Sequence, residues 1–274
     1  MKRLSFFVLA FVFMFSFAAH ASVSVGCLSK SNIDPEEFIL YLSSGNLWSN
    51  LPGHSNNDTA LFYDSIMSMM MALGSGEVDE IGLPGVVGAY VLNNRPDFKI
   101  TCMVRMNKEN LAFGFMKGRG ESLRDKFNEA IQAIKADGTM GDIIARYMKV
   151  DGAPESIPFE NFDGAETIKV AVTGDLPPID YIAMDGKAAG FNTALLAEIA
   201  KRLKVNVKTV YVNTASRTAS LSSGRSDVIF WYQVRENAER QPDVPDSVIL
   251  SEPYYDWNTF VHIGRKNAQP FSDD

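Results

Sequence analysis

Two aromatic residues and two arginines form the group in this sequence that is best suited to hold a ligand. Trp231 and Tyr232 end an apolar stretch, with Arg217 before it and Arg235 after it. Aromatic faces at the end of a strand offer a stacking surface, and an arginine supplies a fixed positive charge. The alternatives are that Trp231 packs in a core and that each arginine is a solvated surface charge.

A second polar group lies in residues 174–191, GDLPPIDYIAMDGKAAGF, between a short apolar segment and a helical pattern. Asp180 and Tyr181 directly follow the double-proline turn, so we expect them near a cleft. Asp185-Gly186, in contrast, is typical of a tight turn.

A third polar group follows the first apolar segment and consists of Ser29, Lys30, Ser31 and Asn32. It precedes a predicted helix, and backbone N–H groups at the start of a helix can hold an anion or a carboxylate. The alternative is that Asn32 only caps that helix.

The sequence has two cysteines, Cys27 and Cys102, both in apolar, strand-like segments. In an oxidising compartment they could form a disulfide, and the alternative is two buried thiols. His54 and His262 have no cysteine, histidine or acid at ligand spacing, so neither a zinc site nor a Ser-His-Asp triad is predicted. We therefore expect no metal and no cofactor.

The first 21 residues have the composition of a signal peptide. Lys2 and Arg3 precede an apolar run from Leu4 to Ala18, and Ala19-His20-Ala21 supplies small residues for cleavage near Ala21-Ser22. The run is too short to span a membrane comfortably, so we expect a periplasmic or secreted protein that does not insert into the membrane after cleavage.

Composition limits the other options. The 274 residues are 46% hydrophobic and 22% charged, which fits one large or two modest globular domains. Loss of Lys2 and Arg3 takes the formal net charge from −7 to −9, so nucleic acid and anionic membranes are not expected partners. A lipid anchor at Cys27 is disfavoured, because Ser24 stands where a lipoprotein signal has leucine.

Strand and helix patterns alternate along the chain, which predicts an α/β fold with mostly parallel strands in two units. Each unit must bring its polar residues together at strand ends. The predicted strands are 23–28, 60–64, 78–83, 98–104, 111–118, 168–174, 207–212, 228–232 and 259–264, and the predicted helices are 34–42, 65–73, 84–92, 121–136, 140–148, 193–203 and about 216–222.

A short internal repeat links the two units. Residues 73–79, LGSGEVD, match residues 221–227, LSSGRSD, at Leu, Ser, Gly and Asp, and each copy joins a predicted helix to an apolar strand. Glycine at a helix end accommodates left-handed backbone. The repeat predicts two lobes of related topology.

Several segments resemble the family 3 periplasmic solute-binding proteins. Residues 168–203 resemble the opening of that family, with its strand, double-proline turn, Asp-Gly and Gly-Phe. SSGRSDVIFWY (222–232) and LSEPYYDWNTFVHIGRK (250–266) resemble later segments of the same lobe. Residues 63–81 resemble the second lobe, and residues 123–148 resemble the terminal helix pair. The resemblance covers nearly the whole chain after the signal peptide.

The order of these segments differs from the family order, in which the double-proline turn comes first and the helix pair last. The resemblance therefore implies a circularly permuted type II periplasmic-binding fold, with two α/β lobes and two hinge strands that allow closure on a ligand. The implied division is a signal peptide at 1–21, lobe 2 at 22–112 with a tail at 266–274, and lobe 1 at 113–265, in which helices occupy 121–148, a connector 149–166 and the α/β core 167–265. The hinge strands would be Leu111–Met116 and Phe260–Arg265.

The resemblance also implies where ligand would bind, with some departures from the family pattern. Leu176 and Ile179 replace two aromatic residues, and Glu239 stands where relatives have a carboxylate-binding arginine. Pro84 stands where amino-acid-binding relatives have an aspartate, which argues against an ordinary α-amino acid. The candidate ligand residues are Thr173, Asp175, Leu176, Asp180, Tyr181, Arg217, Trp231, Tyr232 and Arg235 in lobe 1, and Ser29, Lys30, Ser31, Asn32 and Pro84 in lobe 2.

The function implied by the resemblance is a non-enzymatic periplasmic substrate-binding protein of an ABC-type importer. Its ligand would be a small polar solute, amino-acid-like, carboxylate or aromatic, and its partner a membrane permease complex. One alternative is an enzyme similar to cyclohexadienyl dehydratases, for which Asp180 or Lys30 would be the general acid. The other is a sensory or partner-binding module on the same fold.

Overall fold

The computed structural model describes residues 22–28, 58–148, 155–235 and 244–267. The predicted helix at 34–42 lies outside these residues, as do most of the loop before residue 58 and the predicted signal peptide. Within the described residues, no helix is long and apolar enough to cross a membrane.

Helices and strands alternate as predicted. The helices are α1 (Ile66–Ser75), α2 (Gly85–Asn94), α3 (Glu121–Ala136), α4 (Thr139–Tyr147), α5 (Phe191–Leu203) and α6 (Arg217–Ser222), with a 3-10 turn at Thr214–Ser216. The strands are β1 (Ser24–Leu28), β2 (Thr59–Tyr63), β3 (Glu80–Pro84), β4 (Phe98–Met116), β5 (Thr167–Val172), β6 (Asp175–Leu176), β7 (Asp180–Ile182), β8 (Ala188–Ala189), β9 (Asn206–Tyr211), β10 (Val228–Arg235), β11 (Val248–Leu250) and β12 (Tyr255–Arg265).

Nine of the strands form one mixed sheet, in the order β2-β1-β3-β12-β4-β10-β5-β9 with β11 also beside β4. The parallel strands β1, β2 and β3 are here called the first group, and the parallel strands β5, β9 and β10 the second group. β4 and β12 are antiparallel to each other and lie between the groups. The predicted α/β fold class is therefore confirmed as mixed α/β.

Both groups direct their carboxyl ends toward the middle of β4. Because β12 is antiparallel to β3 and to β4, the first group runs in the same direction as β4, and the second group runs the opposite way. Pro84 lies opposite Phe260, which lies opposite Val104, whereas Tyr232 lies opposite Ala112. The strand ends of both groups therefore approach one junction.

The strand β4 is longer than predicted. Separate strands were expected at 98–104 and 111–118, because the residues between them, RMNKEN, are polar. The structure has one continuous strand of 19 residues. Glu109 lies opposite Trp257 on one side and Arg235 on the other, so backbone pairing with two neighbours holds this polar stretch extended.

The helix pair α3 and α4 packs on the second group. Both helices contact α5, and α3 also contacts β4 and β11. Helix α3 buries Phe127, Ala130, Ile131 and Ile134, as its periodicity predicts, and Phe113 and Phe115 of β4 meet Phe127 edge to face. This is the packing that the permuted order requires, and the permutation itself stays a prediction.

The internal repeat forms the same structure twice. Asp79 Oδ2 accepts from the backbone N–H of Ser24 (2.9 Å), and the backbone N–H of Asp79 donates to the carbonyl oxygen of Ser24 (3.0 Å). Asp227 makes the same two contacts with Lys169, at 2.8 and 2.7 Å. Each aspartate thus fixes the start of the central strand of its group.

Cys27 and Cys102 do not form the disulfide that was one alternative, and both thiols are buried. They lie on β1 and β4, which are separated by β3 and β12. Three strand spacings amount to about 14 Å, whereas disulfide-linked Cα atoms lie within about 7 Å of each other. The alternative of two buried thiols therefore describes the structure.

Candidate functional site

Two carboxylates from the double-proline segment are held near the carboxyl end of β5. Asp180 Oδ2 accepts from the backbone N–H of Thr173 (3.1 Å) and from its hydroxyl (2.8 Å). Asp175 Oδ2 accepts from the hydroxyl of Thr214 (2.7 Å), which follows β9. The ends of two neighbouring strands therefore orient both carboxylates.

The fold of the segment explains this convergence. Its three short strands pair as β6-β7-β8, with Asp175 opposite Tyr181 and Leu176 opposite Asp180. Gly190 closes the segment at φ 92°, where an added Cβ would lie 2.6 Å from the carbonyl oxygen of Pro178. Only glycine fits both the backbone angle and this close approach.

Two oxygens of these carboxylates are buried without a hydrogen-bond partner: Oδ1 of Asp175 and Oδ1 of Asp180. The side-chain amide of Asn192 is also fully buried; it makes a hydrogen bond with Tyr254, and its Oδ1 has no such partner. The backbone N–H of Asn192 donates to the carbonyl oxygen of Ile179 (2.8 Å), which places this residue beside Asp180. Buried polar atoms are nearly always satisfied, so three such groups in one place indicate a site for a ligand or water.

Burial, and after it the nearby charge of Asp175, raise the pKa of Asp180 to about 6, while the hydrogen bond from the Thr173 side chain acts in the opposite direction. The same carboxylate contributes, after burial, to raising the pKa of Tyr254 well above its ordinary value. The Asp180 carboxyl group is therefore mostly ionised at pH 7 and mostly protonated at pH 5.

Arg217 is fully buried next to this site, so the expectation that it could be a solvated surface charge is wrong. Its guanidinium carbon lies 4.5 Å from the ring centroid of Trp231 and 4.5 Å from that of Tyr232. Its Nη1 donates to the carbonyl oxygen of Trp231 (3.0 Å). These contacts compensate for part of the cost of burying the charge.

The two rings are 3% and 0% exposed, which agrees with the core-packing alternative for Trp231. Neither ring is an open stacking surface in this structure, because both are buried and contact Arg217. Trp231 Nε1 donates to the hydroxyl of Thr173 (3.4 Å), which links Arg217 to the carboxylate pair. A ligand role for these two rings stays a prediction.

Tyr181 is the aromatic residue that reaches across the junction. Its ring stacks on Tyr90 of α2, with centroids 6.4 Å apart and planes at 25°. Burial raises the pKa of Tyr181 to about 12, with smaller contributions from Tyr90 and Tyr147. Tyr181 was expected near a cleft, and that placement stays a prediction.

The remaining candidates are dispersed. Leu176 is buried among apolar side chains, and Pro84 ends β3 and precedes α2. Arg235 ends β10 opposite Glu109. Ser29, Lys30, Ser31 and Asn32 lie outside the described residues. Asp185-Gly186 forms the expected turn, in which the N–H of Gly186 donates to the carbonyl oxygen of Ala183 (2.9 Å).

Sequence reasoning missed Asn192, Thr214 and Tyr90. Asn192 directly follows Gly190-Phe191 at the start of α5, so its position next to the turn was a usable signal. Thr214 and Tyr90 carried no signal, because each reaches the site only through contacts between segments that are distant in the chain.

His262 does meet an acid, although none was expected from its spacing. Its Nδ1 lies 2.9 Å from Oε2 of Glu80, both side chains are buried, and Cys102 lies opposite His262 on β4. Burial and then Glu80 raise the pKa of the Cys102 thiol. Across residues 22–28, 58–148, 155–235 and 244–267, no group of three or more histidine, cysteine, aspartate or glutamate side chains is arranged to hold a metal ion.

Residues 168–271 match the family model of the bacterial extracellular solute-binding proteins, family 3. The resemblance predicted from the sequence is confirmed for this part of the chain, which contains the carboxylate pair, Arg217 and β12. A search of curated protein sequences gave no match.

Solved structures of low sequence identity are similar to this chain. A ligand-binding component of an ABC-type import system from Staphylococcus aureus, with zinc bound, has 15% identity and a TM-score of 0.47, covering 89% of this chain and 66% of that one. The periplasmic aliphatic sulphonate-binding protein SsuA from Escherichia coli has 11% identity and a TM-score of 0.42, covering 89% and 65%. A periplasmic substrate-binding protein of an ABC transporter from Coxiella burnetii has 12% identity and a TM-score of 0.43, covering 89% and 85%.

Proposed function

From the family 3 match of residues 168–271, we propose that this chain is a periplasmic substrate-binding protein of an ABC-type importer. It binds a small polar solute between two lobes and presents it to a membrane permease. It performs no chemical step on the solute.

The arrangement of strand ends is the single observation that carries this proposal. The carboxyl ends of two parallel strand groups face one junction, and only β4 and β12 run from one group to the other within the described sheet. Ligands of open α/β sheets bind at such strand ends. Two connecting strands let the groups move relative to each other while remaining in one chain.

The polar groups at the junction support a binding role. Asp175 and Asp180 have buried oxygens without hydrogen-bond partners at the end of β5, and Tyr181 contacts Tyr90 of the other group. A small solute placed here would be enclosed by both groups. Such enclosure is typical of small-molecule sites.

We also propose the circularly permuted order, with lobe 2 at 22–112 and lobe 1 at 113–265. Helices α3 and α4 pack on the second group although they precede it in the chain. Val25 of β1 and Gly264 of β12 both lie opposite Glu80. The first and last strands along the described chain are therefore about two strand spacings, or about 10 Å, apart at this point. That distance is short enough for a direct link, as the unpermuted order of the family requires.

Ligand-dependent stabilisation of the mature chain tests the proposal. Fluorimetry monitors thermal unfolding in the presence of candidate ligands, which are amino acids, carboxylates, aromatic acids, amines and short peptides. A binder should raise Tm with increasing concentration, equivalent to about 2.7 kcal/mol at a hundredfold excess over Kd. No shift with any compound would argue against transport. Conversion of a cyclohexadienyl acid, followed by chromatography, would support the enzyme alternative instead.

A further inference from the structure

We infer that the ligand presents a positively charged, hydrogen-bond-donating group to Asp175 and Asp180. This inference rests on the proposed function, because it specifies the chemical class of the ligand at the same site. The candidate groups are protonated amines, amidinium and guanidinium.

The first step is the orientation of the two carboxylates. Asp175 is held by Thr214 and Asp180 by Thr173, in each case through Oδ2. The two Oδ1 atoms therefore have defined positions, and both are buried without a hydrogen-bond partner. Each is an acceptor that needs a donor.

The second step is the uncharged neighbour of this pair. Asn192 is fully buried beside Asp180; its side-chain amide makes a hydrogen bond with Tyr254, and its Oδ1 lacks a partner. The amide is uncharged, so charge repulsion does not explain why its oxygen has no partner. Its open hydrogen-bonding capacity is therefore independent support for a ligand with polar atoms at this place.

The third step concerns the charge of the ligand. Arg217, which could have bound an anionic ligand, is directed at the Trp231 and Tyr232 rings and at the Trp231 carbonyl oxygen. A ligand cation bound at the carboxylates would pass the half-buried ring of Tyr181, which lies opposite Asp175. Aromatic faces attract cations and carboxylates pair with them, so both features favour a positive ligand.

The release or uptake of a proton on binding distinguishes a cationic ligand from an anionic one. The groups that face Asp180 are Asp175 on β6, Thr173 after β5, Asn192 on α5 and Tyr254 before β12. Burial and Asp175 raise the pKa of Asp180 to about 6, so part of the free protein carries a proton there near pH 6. A bound cation favours the ionised carboxylate and releases that proton, whereas a bound anion would take a proton up.

The test uses calorimetry and thermal shift on the mature chain with matched probes. Putrescine and agmatine are the cations, succinate and glutarate the anions, and 1,4-butanediol the neutral control. We expect at least one cation to bind, with proton release near pH 6 measured in buffers of different ionisation enthalpy. Affinity should fall at least tenfold in Asp175→Asn and in Asp180→Asn.

Asp185→Asn is the matched control, because Asp185 is an exposed acid in the same segment and lies in the turn. It should bind the cation as the unchanged protein does. If Asp180→Asn fails to fold by circular dichroism, Asp175→Asn, whose carboxylate is held by one side-chain hydroxyl, decides the result.

Two results would overturn the inference. Binding of anions but not cations, with proton uptake, would contradict it while the proposed binding function stands. Failure of both cations, together with failure of the broader compound panel, would overturn the inference and the proposed function together.

Discussion

Asp79 and Asp227 occupy equivalent places in the two strand groups, and each binds the backbone at the start of a neighbouring strand twice. The similarity extends to two arginines. Arg265, at the end of β12, donates to the carbonyl oxygen of Leu73, and Arg119, just after β4, donates to that of Leu221. Each arginine contacts the last turn of the helix that precedes its aspartate.

Apart from these equivalent aspartate and arginine contacts, the two strand groups differ. The second group has Asp180 and Arg217 buried near its strand ends, together with Oδ1 of Asp175. The first group ends β3 at Pro84, and its buried acid, Glu80, begins that strand and contacts His262 of β12. The comparison indicates that the repeat serves the fold, whereas the polar strand ends of the second group are the proposed ligand site.

The largest effect should come from Arg217→Met, which tests the buried cation of the second group. It removes two ring contacts and leaves the Trp231 carbonyl oxygen without its donor, so we expect a loss of about 3 kcal/mol. Urea unfolding measures it. Arg146→Met is the control, because Arg146 is exposed over Tyr147 at 5.3 Å and should cost less than about 1 kcal/mol. Equal losses would contradict a special role for Arg217.

Asp79→Ala and Asp227→Ala test whether the repeat is equivalent in both groups. Each removes a side-chain acceptor from a backbone N–H at a strand start, so each should cost about 2 kcal/mol in urea unfolding. Similar losses would support a common structural role. A loss of ligand binding in only one variant, without a difference in stability, would instead link that copy to the site.

The smallest effect, counted per pH unit, is a pH dependence that belongs to the second group. The pKa of Asp180 is raised from 3.8 to about 6 in the folded state, mainly by burial and Asp175. The folded state therefore holds this proton more tightly, and between pH 4 and 6 the free energy of unfolding should fall as pH rises. The slope from one group is at most about 1.4 kcal/mol per pH unit.

Asp180→Asn should remove that contribution, so the difference in unfolding free energy between variant and unchanged protein should vary with pH in this window. Urea unfolding at pH 4, 5, 6 and 7 measures it. A constant difference would show that Asp180 does not titrate as expected.

Local patterns predicted the elements well where neighbours along the chain decide the structure. The bounds of α3 were predicted as observed, because Phe127, Ile131 and Ile134 recur at helical spacing. The middle of β4 could not be predicted in this way, since residues 105–110 are polar and are held by strands from elsewhere in the chain.

The candidate site was predictable only in part for the same reason. The double-proline segment marked Asp175 and Asp180, because both lie in one short stretch. The burial of Arg217 depends on Trp231 and Tyr232 fourteen and fifteen residues further along, and a surface position was equally consistent with its sequence context. Tyr90 and Tyr181 meet only when the two groups are assembled.

The continuous strand β4 has a consequence for cooperativity. Its amino-terminal half completes the sheet of the first group through β12, and its carboxyl-terminal half pairs with β10 and β11. A fragment that begins near residue 113 would lose residues 109–112 of β4, which pair with residues 232–235 of β10. The two groups should therefore unfold together, as a single cooperative unit.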